Sequence, residues 1–244
     1  MTTYGLIGYP LGHSFSRQFF TEKFEKEGID AQYLNFEIPN IEEFPDIIKN
    51  NPNLRGLNVT IPYKQQVMQY LDDISEEARE IGAVNVVKIA TEGLTGYNSD
   101  VIGFMESIKP LLKPHHRKAL ILGTGGASKA IRYGLEKKLG LETLFVSRSA
   151  REGMITYEDV NEAVLKEYEV IVNCSPVGMY PHVDECPALP YETMNENHLL
   201  YDLVYNPLET LFMKKGAAQG ATVKNGLEML HLQAIASWEF WTTE

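Results

Sequence analysis

Short apolar runs alternate with amphipathic stretches along residues 1–100. The first amphipathic stretch carries Phe15, Phe19, Phe20 and Phe24 at helical spacing, with Ser14 as its predicted N-cap. Apolar runs of strand length occupy residues 3–8, 32–38, 56–61, 84–89 and 94–97, and the last two predict a hairpin. Strands that alternate with helices in this way predict an α/β unit.

Further helices are predicted in the same unit over residues 41–49 and 75–81. Pro45 leaves the first residue of the 41–49 helix undefined. Pro62 suits the first turn of another helix, because a missing N–H costs nothing at that position. That helix would carry Lys64.

The second half of the chain is organised around a glycine-rich turn. Residues 119–122 form a short apolar run that leads directly into Gly123-Thr124-Gly125-Gly126-Ala127 and then into helix-forming residues. Strands are predicted at 143–147, 169–173 and 199–204, and helices at 100–112 and 226–241. This pattern predicts a Rossmann-like, doubly wound parallel sheet over residues 101–226, after the first unit of residues 1–100.

Composition excludes several classes of partner. The net charge of −11 argues against nucleic acid and acidic membranes. Cys174 and Cys186 lack metal-type spacing, so we expect reduced thiols in the cytoplasm and no metal site. The N-terminus does not resemble a signal peptide, and no stretch reaches the roughly 18 apolar residues of a membrane span. His115 and His116 lie in a basic linker and are expected at the surface.

The glycine turn has two possible interpretations. A strand, a glycine turn and a helix start together direct backbone N–H groups and a positive dipole end at a phosphate, which favours a dinucleotide site. The spacing is GxGGA and not the full GxGxxG, so an ordinary glycine-lined turn remains an alternative.

Polar residues at predicted strand ends indicate where a ligand binds, since ligands of α/β sheets collect outside the carboxyl ends of strands. The groups are Ser14 with Ser16, Asn58 to Thr60 with Lys64, Asn85, and Asn98 to Asp100. Hydride transfer to a ketone leaves an alkoxide that needs a proton, which a lysine can supply while an aspartate orients it.

Each group also has a structural interpretation. The serines and Asp100 could only cap helices, and Lys64 could be a solvated surface lysine. Asn85 in an apolar strand is harder to dismiss, because a buried amide must find partners. His13 is a candidate catalytic base, but it lies in a predicted turn and no carboxylate is evident there to pair with it.

Together these motifs resemble the shikimate dehydrogenase family. The matching segments follow the family's order: Gly8-Tyr9-Pro10, His13 to Ser16, Asn58 to Lys64, Gly82 to Asn85, Asn98-Ser99-Asp100, Gly123 to Ala127, Asn173 to Gly178, Tyr201 to Pro207, and Gly226 to Ala234. The resemblance implies an N-terminal substrate domain, a Rossmann-like NADP domain and a C-terminal helix that returns to the first domain, with residues 227–244 packing back on it. It also implies reversible NADPH-dependent reduction of 3-dehydroshikimate to shikimate, in aromatic amino-acid (chorismate) biosynthesis.

The resemblance assigns roles residue by residue. Lys64 and Asp100 would be the catalytic pair. The substrate carboxylate would bind to Ser14, Ser16 and Tyr205, and the ring hydroxyls to Thr60, Asn85 and Gln233. The pyrophosphate would bind at Gly123, Gly125, Gly126 and Ala127, with Gly226 and Met229 near the nicotinamide.

The choice of NADP rests on Ser147-Arg148-Ser149. NAD enzymes commonly carry an acidic residue at this place for the ribose 2′-hydroxyl, whereas Arg148 offers a guanidinium to a 2′-phosphate and the serines add donors. An exposed surface arginine is the alternative.

Several departures from the family stand out. Arg17 and Val101 replace the usual proline and glycine. The short stretch between Ser149 and the strand-like segment near Ile155 leaves no room for the helix that normally follows the second strand of the cofactor domain, so that Arg151 would stand in for its phosphate ligand. The chain also ends soon after Trp241, before a helix common in the family. We therefore expect the adenosine end of the cofactor to be bound more weakly than in the family.

Other functions stay open at this point. A quinate/shikimate dehydrogenase using NAD and a non-catalytic shikimate-binding regulator are the alternatives, and either a monomer or a homodimer is compatible with the sequence.

Overall fold

The computed structural model describes residues 1–12 and 15–243. The chain divides into two compact units, which are described separately below. The first unit contains Met1–Ser99 and Gln233–Glu244, and the second contains Asp100–Leu232.

A six-stranded mixed sheet forms the centre of the first unit. Its strands are β1 (Thr2–Gly8), β2 (Ala31–Glu37), β3 (Leu54–Val59), β4 (Asp73–Ile74), β5 (Val86–Ala90) and β6 (Gly93–Tyr97), in the order β2-β1-β3-β5-β6-β4. β1 runs parallel to β2 and β3, while β5 is antiparallel to β3 and β6. The predicted hairpin is therefore confirmed.

Helices cover this sheet through aromatic and aliphatic side chains. They are α1 (Phe15–Glu27), α2 (Phe44–Asn50) with a preceding 3₁₀ turn at Ile41–Glu43, α3 (Glu76–Ile81), and the C-terminal part of α8 (Leu227–Thr242). The predicted apolar face of α1 packs here, since Phe20 stacks on Tyr33 of β2 at 4.9 Å. Trp241 of α8 stacks on Tyr4 at 4.9 Å and donates to Val87 O, which anchors the last helix on the sheet.

The helix predicted at Pro62 is not an α-helix. Residues 61–65 form turns, and a 3₁₀ segment follows at Gln66–Tyr70. The carbonyl of Lys64 accepts a hydrogen bond from the backbone N–H of Val84 at 2.7 Å. This oxygen is therefore used by a distant segment and not by a helical ladder, so Lys64 lies in a turn.

An all-parallel sheet forms the centre of the second unit. Its strands are β7 (Lys118–Leu122), β8 (Glu142–Ser147), β9 (Met154–Thr156), β10 (Val170–Asn173), β11 (Leu199–Asp202) and β12 (Thr222–Lys224), in the order β12-β11-β10-β7-β8-β9. This is the strand order of a doubly wound dinucleotide-binding fold, with the reversal between β7 and β10. The predicted parallel sheet is confirmed, and β12 was not predicted.

The helices of this unit are α4 (Asp100–Ile108), α5 (Gly126–Tyr133), α6 (Glu162–Glu167), α7 (Leu211–Ala218) and the first turns of α8. The helix predicted over residues 100–112 is shorter than expected. A 3₁₀ turn at Lys109–Leu111, with Pro110 near its start, replaces the last α-helical turn.

The connection from β8 to β9 contains no helix, as the sequence predicted. Residues 148–153 alone join two parallel strands in which Phe145 pairs with Met154 and Ser147 with Thr156. Parallel crossovers usually need a dozen or more residues. Here β9 is a 3-residue strand at the sheet edge, so the chain has only a short distance to return.

The expectation for His116 is wrong, whereas His115 is exposed as expected. His116 is 5% exposed, its Nε2 lies 2.8 Å from Asn197 O, and its Nδ1 accepts from the backbone N–H of Lys113. Burial lowers the pKa of His116, which favours the neutral ring.

Across residues 1–12 and 15–243, no helix combines the length and apolar character needed to cross a membrane.

Candidate functional site

Ser16 connects α1 to a polar cluster inside the first unit. Its hydroxyl hydrogen-bonds Tyr33, and Tyr33 donates to Asn58 Oδ1 at 2.8 Å. Burial raises the pKa of Tyr33 well above its usual value, so the phenol stays a donor. Ser14 and His13 lie outside the described residues.

Asn85 is the centre of a second part of the same cluster. It is 3% exposed and lies directly before β5. Its Oδ1 accepts from Ser99 N at 2.7 Å, and its Nδ2 donates to Ser99 Oγ at 3.1 Å and to Gln233 Oε1 at 3.5 Å. Two predicted substrate-binding residues, Asn85 and Gln233, are therefore neighbours. Asn85 also fills the structural need of a buried amide.

Thr60, Lys64 and Asp100 lie at or near the ends of secondary-structure elements. Thr60 follows β3 and donates its backbone N–H to Ile7 O at 2.9 Å. Lys64 is half-buried in its turn, and Asp100, the first residue of α4, is 4% exposed. Since Asp100 directly follows Ser99, the bond from Ser99 N to Asn85 fixes the chain where α4 begins.

The glycine turn has the geometry of a phosphate cradle. Gly123 has a φ of +98°, and a Cβ there would lie 3.3 Å from Ser175 N. A Cβ at Gly125 would meet nothing within 4 Å, and Gly126 opens α5 with Ala127 as its next residue. Gly125, the N-cap residue of α5, has no side chain that could cap this helix end. Backbone N–H groups at an open, glycine-lined helix start fit a pyrophosphate.

The residues predicted for the adenosine end lie beside this turn. Gly123 N donates to Val146 O at 3.0 Å, which places the end of β8 next to the start of the turn. Ser147 is buried and its hydroxyl accepts from Ser149 N at 3.5 Å, whereas Arg148 is exposed. The Arg148 guanidinium opposes the rise in the pKa of Tyr157 that burial causes. A positive charge therefore lies at the strand end that the sequence predicts for a 2′-phosphate.

Gly226 and Met229 have clear structural roles. A Cβ at Gly226 would lie 2.1 Å from Leu203 O, so only glycine fits there. Met229 is 7% exposed and packs in the core with Phe104 and Tyr201. Their contact with a nicotinamide ring stays a prediction. Tyr205 follows β11 and is 36% exposed, and its contact with the substrate stays a prediction.

Asp202 is a buried carboxylate that sequence reasoning did not single out. It accepts hydrogen bonds from Thr210 Oγ1 at 2.6 Å, Val204 N at 3.0 Å and Asn173 Nδ2 at 3.0 Å. Burial is the largest cause that raises its pKa, to about 6, against these hydrogen bonds. Asn173 in turn accepts from the hydroxyl and the N–H of Ser175. The sequence could have indicated this pair, because Asn173 and Asp202 are polar residues at the ends of two neighbouring strands, β10 and β11.

Comparison with known proteins assigns this architecture to a family. Residues 6–87 match the family model described as the shikimate dehydrogenase substrate binding domain. The chain is 36% identical to the shikimate dehydrogenase (NADP(+)) of Methanococcus maripaludis, over 98% of this chain and 90% of that protein. The chain belongs to the shikimate dehydrogenase family.

Solved structures of similar proteins agree with the fold. Shikimate dehydrogenase from Thermus thermophilus, in complex with NADP(H) and shikimate, is 32% identical with a TM-score of 0.87, over 100% of this chain and 94% of that chain. Quinate dehydrogenase from Corynebacterium glutamicum, in complex with NAD, is 26% identical with a TM-score of 0.88, over 100% and 94%. The predicted fold class, an α/β substrate domain followed by a Rossmann-like domain, is confirmed.

Proposed function

We propose that the protein is an NADP-dependent oxidoreductase that interconverts shikimate and 3-dehydroshikimate in aromatic amino-acid biosynthesis. The observation that carries this proposal is the identity of 36% with an NADP-dependent shikimate dehydrogenase along 98% of the chain. The polar cluster around Asn85 and the open glycine turn supply the two kinds of binding group that the reaction requires.

In this proposal, residues of the first unit bind the ring hydroxyls of the substrate. The contact between Asn85 Nδ2 and Gln233 Oε1 is 3.5 Å long, at the limit of hydrogen bonding. A substrate hydroxyl beside both amides would form shorter bonds with each of them, because a hydroxyl both donates and accepts. Thr60, at the end of β3, adds a third polar group.

The substrate carboxylate binds to hydroxyl donors. Ser16 lies in the first turn of α1, where the helix dipole favours a negative charge, and Ser14 and the exposed Tyr205 complete the set. Neutral donors suit a chain whose net charge of −11 offers no general attraction to anions.

Lys64 and Asp100 handle the proton. Bound NADP⁺ would supply the hydride acceptor for oxidation of the carbinol carbon of shikimate. Lys64 Nζ accepts the proton that the hydroxyl loses in this direction, and returns a proton to the forming hydroxyl in the reverse direction. The Asp100 carboxylate orients the lysine and binds the reacting hydroxyl.

The cofactor is held by the second unit. Gly123, Gly125, Gly126 and Ala127 present backbone N–H groups to the pyrophosphate, and Arg148, with Ser147 and Ser149, takes the 2′-phosphate. Gly226 and Met229 lie toward the nicotinamide end in this proposal.

Formation of NADPH from shikimate and NADP⁺, followed by absorbance, tests the function. Turnover that is faster with NADP⁺ than with NAD⁺, and faster with shikimate than with quinate, supports it. No turnover with either cofactor would exclude it. Tight binding of shikimate by calorimetry without hydride transfer would instead identify a non-catalytic binding protein.

A quinate/shikimate dehydrogenase using NAD is the second candidate. The observation that favours it is the similarity to the quinate dehydrogenase that was solved in complex with NAD, which is 26% identical with a TM-score of 0.88. Values of kcat/KM for both acids with both cofactors separate the two candidates.

A further inference from the structure

Ser237 on α8 lies where several polar side chains of the first unit converge. The side chain is 0% exposed. Its Oγ donates to Gln233 O at 2.8 Å, accepts from Asn58 Nδ2 at 2.9 Å, and lies 3.2 Å from Ser99 Oγ. A hydroxyl has one donor and two acceptor sites, so these contacts use its full capacity.

The direction of the bond between the two serines follows from this count. The single Ser237 proton is committed to the Gln233 carbonyl, which can only accept. Ser99 Oγ accepts from Asn85 Nδ2, and its own proton has two acceptors within reach, Ser237 Oγ at 3.2 Å and Asn85 Oδ1 at 3.4 Å, of which Ser237 Oγ is the nearer. A continuous relay of hydrogen bonds runs from Asn85 through Ser99 and Ser237 to the backbone of Gln233.

A second branch reaches Ser237 from the opposite side. Ser16 hydrogen-bonds Tyr33, Tyr33 donates to Asn58 Oδ1, and Asn58 Nδ2 donates to Ser237 Oγ. Both branches end on the same hydroxyl. Ser16, Asn85 and Gln233, three of the residues that the proposed function assigns to the substrate, thus belong to one network. Ser16 and Asn85 take part through their side chains, and Gln233 through its backbone carbonyl and, at 3.5 Å from Asn85 Nδ2, its side-chain oxygen.

We propose that Ser237 is a positioning residue that holds Ser16, Asn85 and Gln233 in the arrangement that binds the substrate, without touching the substrate itself. This inference rests on the proposed function. A helical serine satisfies its own donor by bonding to the carbonyl one turn earlier. Ser237 therefore has no need of Asn58 or Ser99, whereas it gives them acceptors at 2.9 and 3.2 Å, nearer than Asn85 O at 3.5 Å and Asn85 Oδ1 at 3.4 Å. Removing the hydroxyl takes the nearest acceptor from both branches at once.

Ser237→Ala tests the inference. We expect roughly a tenfold rise in the KM and the calorimetric Kd for shikimate, about 1.4 kcal/mol, because one buried network loses its shared acceptor. The value of kcat should change by less than about twofold and the KM for NADP⁺ should not change, since the hydroxyl acts in positioning and not in the transition state.

Ser107→Ala is the matched control. Ser107 is also a buried helical serine, 2% exposed, that donates to the carbonyl one turn earlier at 2.7 Å and contacts one further hydroxyl, Tyr201 Oη, at 2.6 Å. It belongs to the second unit. We expect Ser107→Ala to lower the melting temperature with no change in shikimate affinity.

Tyr33→Phe keeps the inference testable if Ser237→Ala does not fold. It cuts only the branch to Ser16, so we expect a smaller rise in the Kd for shikimate. The double variant should show less than the product of the two effects, because both act through one network. An unchanged shikimate Kd in Ser237→Ala, or in Tyr33→Phe where only that variant folds, overturns the inference. An equal loss in Ser107→Ala overturns it as well.

The wild-type protein separates this inference from the proposed function. Wild-type turnover of shikimate together with unaltered binding in the variants rejects the positioning role alone. A wild-type protein that neither binds nor oxidises shikimate rejects both.

Discussion

Asn85 Oδ1 accepts the backbone N–H of Ser99 at 2.7 Å, and the Asn85 amide donates back to the Ser99 hydroxyl. This pair joins the residue before β5 to the residue before α4. Asn85 therefore serves the fold as well as any ligand, and its substitution would mix both effects. Lys64, whose side chain is only half-buried, gives a cleaner test of the chemistry.

Lys64→Ala should lower kcat by roughly 100- to 10,000-fold, the usual contribution of a positioned acid or base. The KM for shikimate should change little, because the proton is transferred only in the transition state. Steady-state kinetics of the purified variant measure both quantities. Lys26→Ala, at an exposed lysine of α1, is the control and should keep wild-type kinetics. A near-normal kcat in Lys64→Ala would remove Lys64 from its role.

Gly125→Ala tests the phosphate cradle separately from folding. The φ of Gly125 is −74°, and a Cβ there would have no atom within 4 Å, so the folded protein accepts alanine. If the pyrophosphate packs against this position, the methyl group blocks its approach. We expect about a tenfold rise in the KM for NADP⁺ with an unchanged melting temperature and unchanged shikimate affinity.

Gly123→Ala is the contrasting variant at the same turn. Gly123 has a φ of +98°, a conformation that strains any residue with a side chain, and Ser175 N lies 3.3 Å from the added Cβ. We expect this variant to melt earlier. Equal NADP⁺ binding by Gly125→Ala and the wild-type protein would place the pyrophosphate elsewhere.

Arg148→Ala should weaken the binding of NADPH more than the binding of NADH. A charge-assisted hydrogen bond to a phosphate contributes about 1.5–3 kcal/mol, so the Kd for NADPH should rise roughly 10- to 100-fold. The Kd for NADH should hardly change, because NADH lacks the 2′-phosphate. Fluorescence titration with both nucleotides measures the difference. Arg55→Ala in the first unit is the control, and an equal loss for both nucleotides would contradict the assignment.

Elements with one buried face could be predicted from the sequence, because burial of that face makes apolar residues recur at a regular spacing. Phe20 and Phe24 recur on the buried side of α1, and residues 119–122 form the fully buried end of β7. The glycine turn was also predictable, since strand, turn and helix follow one another directly. The absence of a helix after β8 was predictable as well, because the segment contains too few residues to form one.

Features that depend on distant partners could not be predicted. Strands β4 and β12 are short, and they form because a neighbouring strand offers backbone groups. Lys64 leaves the helical pattern because Val84 N binds its carbonyl, and His116 is buried because Asn197 O accepts its ring. In the candidate site, Ser16, Asn85 and Gln233 could be named from motifs. Ser237, which connects them, carries no local signal, since a serine on a helix usually bonds to its own backbone.

Asp202 should make the stability of the protein depend on pH. Its pKa in the folded protein is raised from 3.8 to about 6, mainly by burial, so the folded state holds this proton where the unfolded state has lost it. Its contribution to stability is therefore largest below pH 4 and falls as the pH rises through about 6. Between pH 5 and pH 7.5 the expected loss is about 1.4 kcal/mol.

Asp202→Asn isolates this contribution, because the amide does not titrate and every other group is unchanged. Urea unfolding of both proteins at pH 5 and pH 7.5 gives two differences in the free energy of unfolding. The wild-type protein should gain about 1.4 kcal/mol relative to the variant at the lower pH. The amide keeps an oxygen for Val204 N or Thr210 Oγ1 but directs its NH₂ at a donor, so we expect the variant to be less stable at both pH values. A difference that is the same at pH 5 and pH 7.5 would show that the Asp202 carboxyl does not titrate in this range.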